Sequence, residues 1–183
     1  VVMGLATIPV LRHREAIEPR PEGAKLSFSG LLDYFRQPGA LSWIVLLILY
    51  KSFDALAGPM VKPMMVDQGY TLTDIGAIVG TAGSIAGLLG AAAGGLGVIY
   101  LGRTRALLGF GCLQILAVAS YLLPANGVGG VTGMYIAVAA DTFFGSMATT
   151  ALFTMMMDQC RANSAGTDYT LQASVIVIAV SLI

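Results

Sequence analysis

Three charged residues sit near the middle of long, largely apolar stretches. Lys51 and Asp54 lie in LSWIVLLILYKSFDALAGPMVKPMMV, residues 41–66, and Asp141 lies in the stretch 132–157. A charged side chain at the centre of a bilayer costs about 2.5–3.5 kcal/mol on insertion scales, so such groups face protein or a water-filled cavity and mark ion or solute paths. Lys51 and Asp54 are three apart and share a helix face. At a helical rise of about 1.5 Å per residue, Lys51 falls about 15 Å from one membrane edge and Asp141 about 14 Å from the other. Both depths are near the middle of a hydrocarbon core about 30 Å thick. Lys51 can pair with Asp54 in its own helix or with Asp141 across helices. Either pairing leaves a carboxylate over, and a desolvated, unpaired carboxylate takes up a proton more readily. Lys51, Asp54 and Asp141 are therefore the expected substrate- or proton-binding groups of a proton-coupled carrier. The alternative chemistry is an intramembrane enzyme using the Asp54/Asp141 carboxylates. That reading needs a nucleophile or an acid–base set. The sequence shows no serine–histidine pair, no histidine–metal set and no Gly-x-Gly-Asp element, and its one histidine, His13, stands in a basic run. No enzymatic activity is expected. Cys112 and Cys160 show neither a disulfide framework nor metal-ligand spacing, and no cofactor or metal is expected.

The elements that must hold these groups are membrane helices. Hydrophobic residues make up 56% of the 183, charged residues only 11%, and the mean hydropathy is +0.80. Soluble domains carry about 25% charged residues. The expected fold is an all-α membrane protein, a polytopic transmembrane helix bundle. Spans are predicted at about 41–66, 75–100, 105–123, 132–157 and 168–183, the last truncated. Residues 1–11 read as the end of a truncated transmembrane helix, and 12–40 as a polar cytoplasmic connector broken by Pro19 and Pro21. Within that connector, 29–35 suggests a short amphipathic helix on the membrane surface. Pro59 and Pro63 should kink or loosen the first full span. Thr71 or Thr73 can cap the second, with Asp74 in its first turn, and Thr167 can cap the fifth.

The 75–100 span carries no charge. Its glycines at 76, 80, 83, 87, 90, 94 and 97 fall on one face, a surface that lets another helix backbone come close. Gly80, Gly83, Gly87 and Gly90 are the expected helix-packing positions, with the closest contact at Gly87 and Gly90. The basic residues Arg12, Arg14, Arg20, Lys25, Arg36, Arg103, Arg105 and Arg161 fall on one side of the predicted spans and Lys62 on the other. The positive-inside rule then makes the connector, the 101–105 turn and the 158–167 loop cytoplasmic. Asp158, Asp168, Tyr169 and Gln172, on that side, are candidate gate residues, with helix capping the plainer role for Asp168.

The order of elements, a basic connector, a charged span, a glycine-rich span and a short GR-containing turn, resembles the second half of a major facilitator superfamily transporter. GLGVIYLGRTR at 95–105 is similar to that superfamily's cytoplasmic loop motif at Gly95, Gly102, Arg103 and Arg105; Ile99 and Tyr100 stand where the motif has Asp-Arg. Within the superfamily, LLILYKSFDALAGPMVKPMMVDQGY resembles the AmpG-like muropeptide permeases. DTFFGSMATTALFTMMMDQC and GTDYTLQAS resemble the siderophore permeases of the RhtX/FptX type. The resemblance implies a fragment of a 12-helix fold, with residues 41–183 as its C-terminal helical half. It implies proton-coupled import of a siderophore or muropeptide-like solute by alternating access about a midplane site. The glycine-striped helix would then pack against the missing N-terminal half. The implied partners are a small-molecule solute, the lipid bilayer and that missing half, in the inner (plasma) membrane as a multi-pass protein. No phosphate-binding glycine loop is present, so ATP-driven transport is not expected, and nothing points to nucleic acid.

Overall fold

The computed structural model describes residues 34–37, 39–162 and 164–182. The truncated helix expected at 1–11, most of the 12–40 connector with His13, and nearly all of the surface helix expected at 29–35 lie outside these residues. The described chain is an all-α, polytopic membrane protein. Four of its helical segments are long and apolar enough to cross a bilayer: Ala40–Asp67, Leu72–Leu101, Arg103–Ala125 and Gly130–Asp158.

The first helix, α1, is Ala40–Asp67. It runs unbroken through Pro59 and Pro63, so the prolines do not end it; packed membrane helices tolerate the freed carbonyls they leave. It stops at Gly69, whose φ of +85° is reached cheaply only by glycine. There the Gly69 N–H donates to the Val66 carbonyl at 2.9 Å and the Tyr70 N–H to the Met65 carbonyl at 3.1 Å. Two such bonds satisfy carbonyls that a helix end otherwise leaves open.

The second span, α2, covers Leu72–Leu101 and starts three residues earlier than the sequence suggests. Thr71, not Thr73, is its cap. The Thr71 Oγ1 accepts from the Asp74 N–H at 3.2 Å, and the Asp74 carboxylate accepts from the Thr71 N–H at 3.0 Å. This reciprocal pair satisfies two donors at once. Residues Ile78–Gly83 form a π-helical insert before the α-helix resumes at Ser84. The expected 101–105 turn is a single residue, Gly102, at φ +79°. Helix α3, Arg103–Ala119, begins immediately after it. A short turn α4, Leu122–Ala125, leads to α5, Gly130–Asp158. The last helix, α6, is Ala165–Ser181. It opens at Ser164, whose carbonyl accepts from the Asp168 N–H at 2.9 Å; Thr167 is therefore inside the helix rather than at its cap.

The buried side chains fall into clusters toward opposite ends of the bundle. One joins Trp43 and Leu47 of α1, Val98 of α2, Leu107 and Phe110 of α3, Leu152 and Met156 of α5 and Ile176 of α6. A second joins Met65, Ile75, Ile78, Met134 and Val138, and a small third joins Tyr34, Ala40 and Ile44. On α1 residues 51 and 54 lie between the first two clusters, and on α5 residue 141 does. The apolar packing thus brackets the intramembrane charges from both sides.

From Gly83 to Gly94 the glycine face of α2 is turned onto α5 of this same chain. A Cβ on Gly90 would overlap the Phe143 carbonyl, one on Gly94 would sit 2.8 Å from the Met147 Cα, and one on Gly87 would sit 3.3 Å from the Thr142 methyl. Gly83 also faces Thr142, and Gly97 faces the Phe110 ring of α3. Gly80 does not take part: nothing lies within 4 Å of where its Cβ would be.

Candidate functional site

Lys51 lies one turn before Asp54 on α1, and the structure resolves its choice of partner. The Lys51 Nζ donates to Asp54 Oδ2 at 2.8 Å. A longer contact of 3.5 Å runs from the same Nζ to the Thr149 Oγ1 of α5. The other oxygen of Asp54 is also engaged: Gln114 of α3 donates its Nε2–H to Oδ1 at 3.1 Å. The side chains are 19% and 42% exposed for Lys51 and Asp54, so the pair borders open space instead of being sealed.

Asp141 does not reach Lys51. Its Oδ2 accepts from the Tyr121 hydroxyl at 3.1 Å. Of the two pairings open to Lys51 the cross-helix one is not taken, and Asp141 holds a tyrosine hydrogen bond instead. The physical reason is local. An i,i+3 pair on one helix brings Lys51 to Asp54 without spanning a gap, while Tyr121 enters beside Asp141 from the turn between α3 and α4.

Asp54 and Asp141 nevertheless line one cleft of about 440 Å³, with Ala91 of α2 and Thr142, Gly145, Ser146, Thr149, Thr150 and Phe153 of α5. Small residues and hydroxyls make up most of that wall. The Thr142 and Thr150 hydroxyls donate to the carbonyls of Val138 and Ser146 one turn back on their own helix. Two carboxylates, a neighbouring ammonium and a hydroxyl-bearing helix make a polar surface midway along an apolar bundle. Such a surface can bind a polar solute and exchange protons.

The end of the bundle carrying Arg103 and Arg161 holds a second polar set. Asp168 is 1% exposed. It accepts from the Arg161 Nε at 2.8 Å, from the Arg161 Nη2 at 2.6 Å and from the Arg161 backbone N–H at 2.9 Å. One turn on, the fully buried Gln172 accepts from the Trp43 indole at 2.7 Å and donates to the Met156 carbonyl at 3.2 Å. Asp158 pairs with Arg103. Tyr169 packs against the apolar cluster around Trp43. Of the loop-motif residues, Gly102 makes the turn, Arg103 makes the ion pair, and Gly95 has open space beside it. Arg105 is exposed. Burial, reinforced by the charges of Cys160 and Asp168 and opposed by Arg161, pushes the Tyr34 hydroxyl up to about 12. Burial, with Asp168 next, also raises the Cys160 thiol, against a lowering hydrogen bond from Gln172.

Gln114, Tyr121, Thr149 and Trp43 are the participants that sequence reasoning missed. Gln114 had a signal: it is a lone amide in GFGCLQILAVA, where an apolar residue would be the default. Tyr121 and Thr149 had none, because tyrosine at a helix end and threonine on a small-residue helix are ordinary.

No protein-family model matches the chain. Among curated proteins, the chain is 28% identical over 143 residues to a transporter named AmpG 4 from Rickettsia felis, covering 78% of this chain and 34% of that protein. It is 29% identical over 166 residues to the anhydromuropeptide permease of Escherichia coli K12, covering 90% of this chain and 32% of the permease. A transporter named AmpG 1 from Rickettsia typhi is 27% identical over 140 residues, 76% of this chain and 31% of the relative. The chain thus spans about a third of the length of the curated relatives it matches.

Proposed function

We propose that this chain is part of a secondary transporter of the major facilitator type, its C-terminal half, and that the transporter moves a muropeptide-like solute across the inner membrane. The observation that carries the reading is the cleft. Asp54, paired to Lys51, and Asp141 line it midway between two apolar clusters, where charge is costly. The name of the Escherichia coli relative supplies the solute class, anhydromuropeptide, and favours it over the siderophore that the 141–160 and 166–174 segments suggest. An amino sugar with an attached peptide offers hydroxyls, an ammonium and carboxylates. Its hydroxyls complement the hydroxyl-bearing face of α5, and its ammonium the carboxylate-lined side of the cleft.

In this reading the solute binds between the cleft and the half of the transporter that precedes the connector. The two halves then rock about it, exposing it to one side and then the other, with protons supplying the driving force. Asp158, Asp168, Tyr169 and Gln172 stiffen the inner rim that closes over the solute. Their partners Arg103, Arg161 and Trp43 all lie within this chain, so the rim moves as one body. The carboxylate-pair enzyme has less support: both oxygens of Asp54 already hold donors, and the relatives are named as transporters.

The test is solute counterflow. Liposomes carrying the full-length parent are loaded with unlabelled anhydromuropeptide and placed in a trace of the labelled compound. Transient accumulation of label, competed by anhydromuropeptide and not by a ferric siderophore, supports the reading. Counterflow with the siderophore alone would replace the solute class, and counterflow with neither would remove the proposal.

A further inference from the structure

The cleft contains two carboxylates that the sequence treats alike, and the structure does not. Asp54 has a protein donor on each oxygen, Lys51 Nζ at 2.8 Å on Oδ2 and Gln114 Nε2 at 3.1 Å on Oδ1. Placing a proton on Asp54 would remove the charge that pairs the Lys51 ammonium and weaken the bond from Gln114. Asp141 accepts from the Tyr121 hydroxyl on Oδ2. Among the described residues no basic side chain stands within ion-pair distance of it, and none donates to its Oδ1. Its side chain lines the cleft.

We infer that the two carboxylates have different tasks: Asp54 is a fixed, paired charge, and Asp141 is the group that takes a proton from the cleft and returns it. This rests on the reading of the chain as a proton-coupled carrier and adds to it which carboxylate is the exchanging one. The step is a simple transfer. A proton passes from hydronium in the cleft to Asp141 Oδ1, leaving water and a neutral acid, while the Tyr121 hydroxyl stays on Oδ2. The reverse transfer regenerates the carboxylate. The titratable and charged groups that face Asp141 are few. The α3–α4 turn offers Tyr121, and α1 offers Asp54 with Lys51 paired to it. At this level α2 offers only small residues, with Ala91 in the cleft wall. Protonating Asp141 removes one of two negative charges that share a water-accessible space. Protonating Asp54 would instead break an ion pair. Gln114 and Tyr121 act as positioning residues, the first by holding Asp54 in place for Lys51 and the second by leaving one Asp141 oxygen open.

The experiment is pH-difference infrared spectroscopy on the full-length parent in lipid, read at the protonated-carboxyl stretch. Intact protein gains this band as pH falls. Asp141→Asn, which keeps an oxygen to accept from Tyr121, is expected to lose that gain. The double variant K51Q/D54N removes both members of the ion pair and leaves no lone buried charge; it is expected to keep the gain. Gln114→Leu should leave the midpoint of the band in place, while Tyr121→Phe should move it. Persistence of the full band in Asp141→Asn, or its loss in K51Q/D54N, would overturn the assignment. The band is read without solute, so its outcome is independent of the counterflow result: a silent counterflow assay removes the transport reading, and only the infrared band decides between the carboxylates.

Discussion

Replacing Gly90 by alanine should destabilise the bundle although alanine is the better helix former. Helix propensity alone favours the change by about 0.5–1 kcal/mol. Against this, the added Cβ would overlap the Phe143 carbonyl and lie 2.9 Å from the Phe143 carbonyl carbon. These are backbone atoms in the middle of α5, so no rotamer change relieves the clash. The two helices must separate or shift, and overpacking of this kind costs about 1–3 kcal/mol. Gly80→Ala is the control on the same helix, since its Cβ meets nothing within 4 Å. The propensity gain is common to both, so the expected difference between the variants is the overpacking cost, about 1–3 kcal/mol. That is roughly a 5- to 150-fold difference in the folded-to-unfolded ratio at about 1.4 kcal/mol per tenfold. The assay is reversible denaturation of the full-length parent in mixed micelles, comparing Gly90→Ala and Gly80→Ala with the unaltered protein. Equal stability of the two variants would refute the claim that this glycine face is the seam between α2 and α5.

Three further outcomes follow from named contacts. Asp54→Asn leaves the Lys51 ammonium without its 2.8 Å partner; removing one member of a buried pair costs about 3–5 kcal/mol, and the 42% exposure of Asp54 reduces this to about 1–2 kcal/mol. K51Q/D54N should recover most of that loss in the same denaturation assay. Arg161→Lys replaces a two-pronged guanidinium by a point charge on an Asp168 that is 1% exposed, and should lower stability by about 1–3 kcal/mol. Trp43, the only tryptophan, hydrogen-bonds Gln172 at 2.7 Å and would report that loss locally through a shift in its emission. In a Cys112→Ser background, alkylation of Cys160 should reach half its maximal rate above the pH usual for a free thiol, because burial and then the Asp168 charge raise it. Asp168→Asn removes that negative neighbour and should move the profile to lower pH; an unchanged profile would contradict the placement of Cys160 beside Asp168.

The helical membrane architecture was legible because it rests on long apolar runs, and four of the expected spans match helices long and apolar enough to cross a bilayer, with edges only a few residues away. Those shifts have local causes. Thr71 pairs reciprocally with Asp74, Gly102 turns the chain in one residue, and Asp168 bends back to Arg161 instead of waiting for Thr167 to cap its helix. The three intramembrane charges stand out in any reading of the sequence, since nothing else in the middle of those spans is ionised. Their partners do not stand out. Whether Lys51 takes Asp54 or Asp141 depends on how α1 and α5 rotate about their axes, and periodicity leaves that rotation open. Tyr121 reaches Asp141 only because α3 ends beside the middle of α5. The glycine repeat announced a close helix contact but not its partner. Seven glycines on one face fit any neighbour, and the choice of α5 depends on small and hydroxyl-bearing residues at 142, 146 and 150 presenting a matching surface.

The central claim is that a proton gradient drives a polar solute through the cleft of Asp54 and Asp141. The measurement that reaches it most directly is accumulation of labelled anhydromuropeptide by liposomes containing the full-length parent, with an inwardly directed proton gradient and again after a protonophore collapses it. Accumulation above the external concentration is expected with the gradient, and simple equilibration without it. Uptake that stops at equilibration in both conditions would contradict proton coupling, and with it the task assigned to the intramembrane carboxylates.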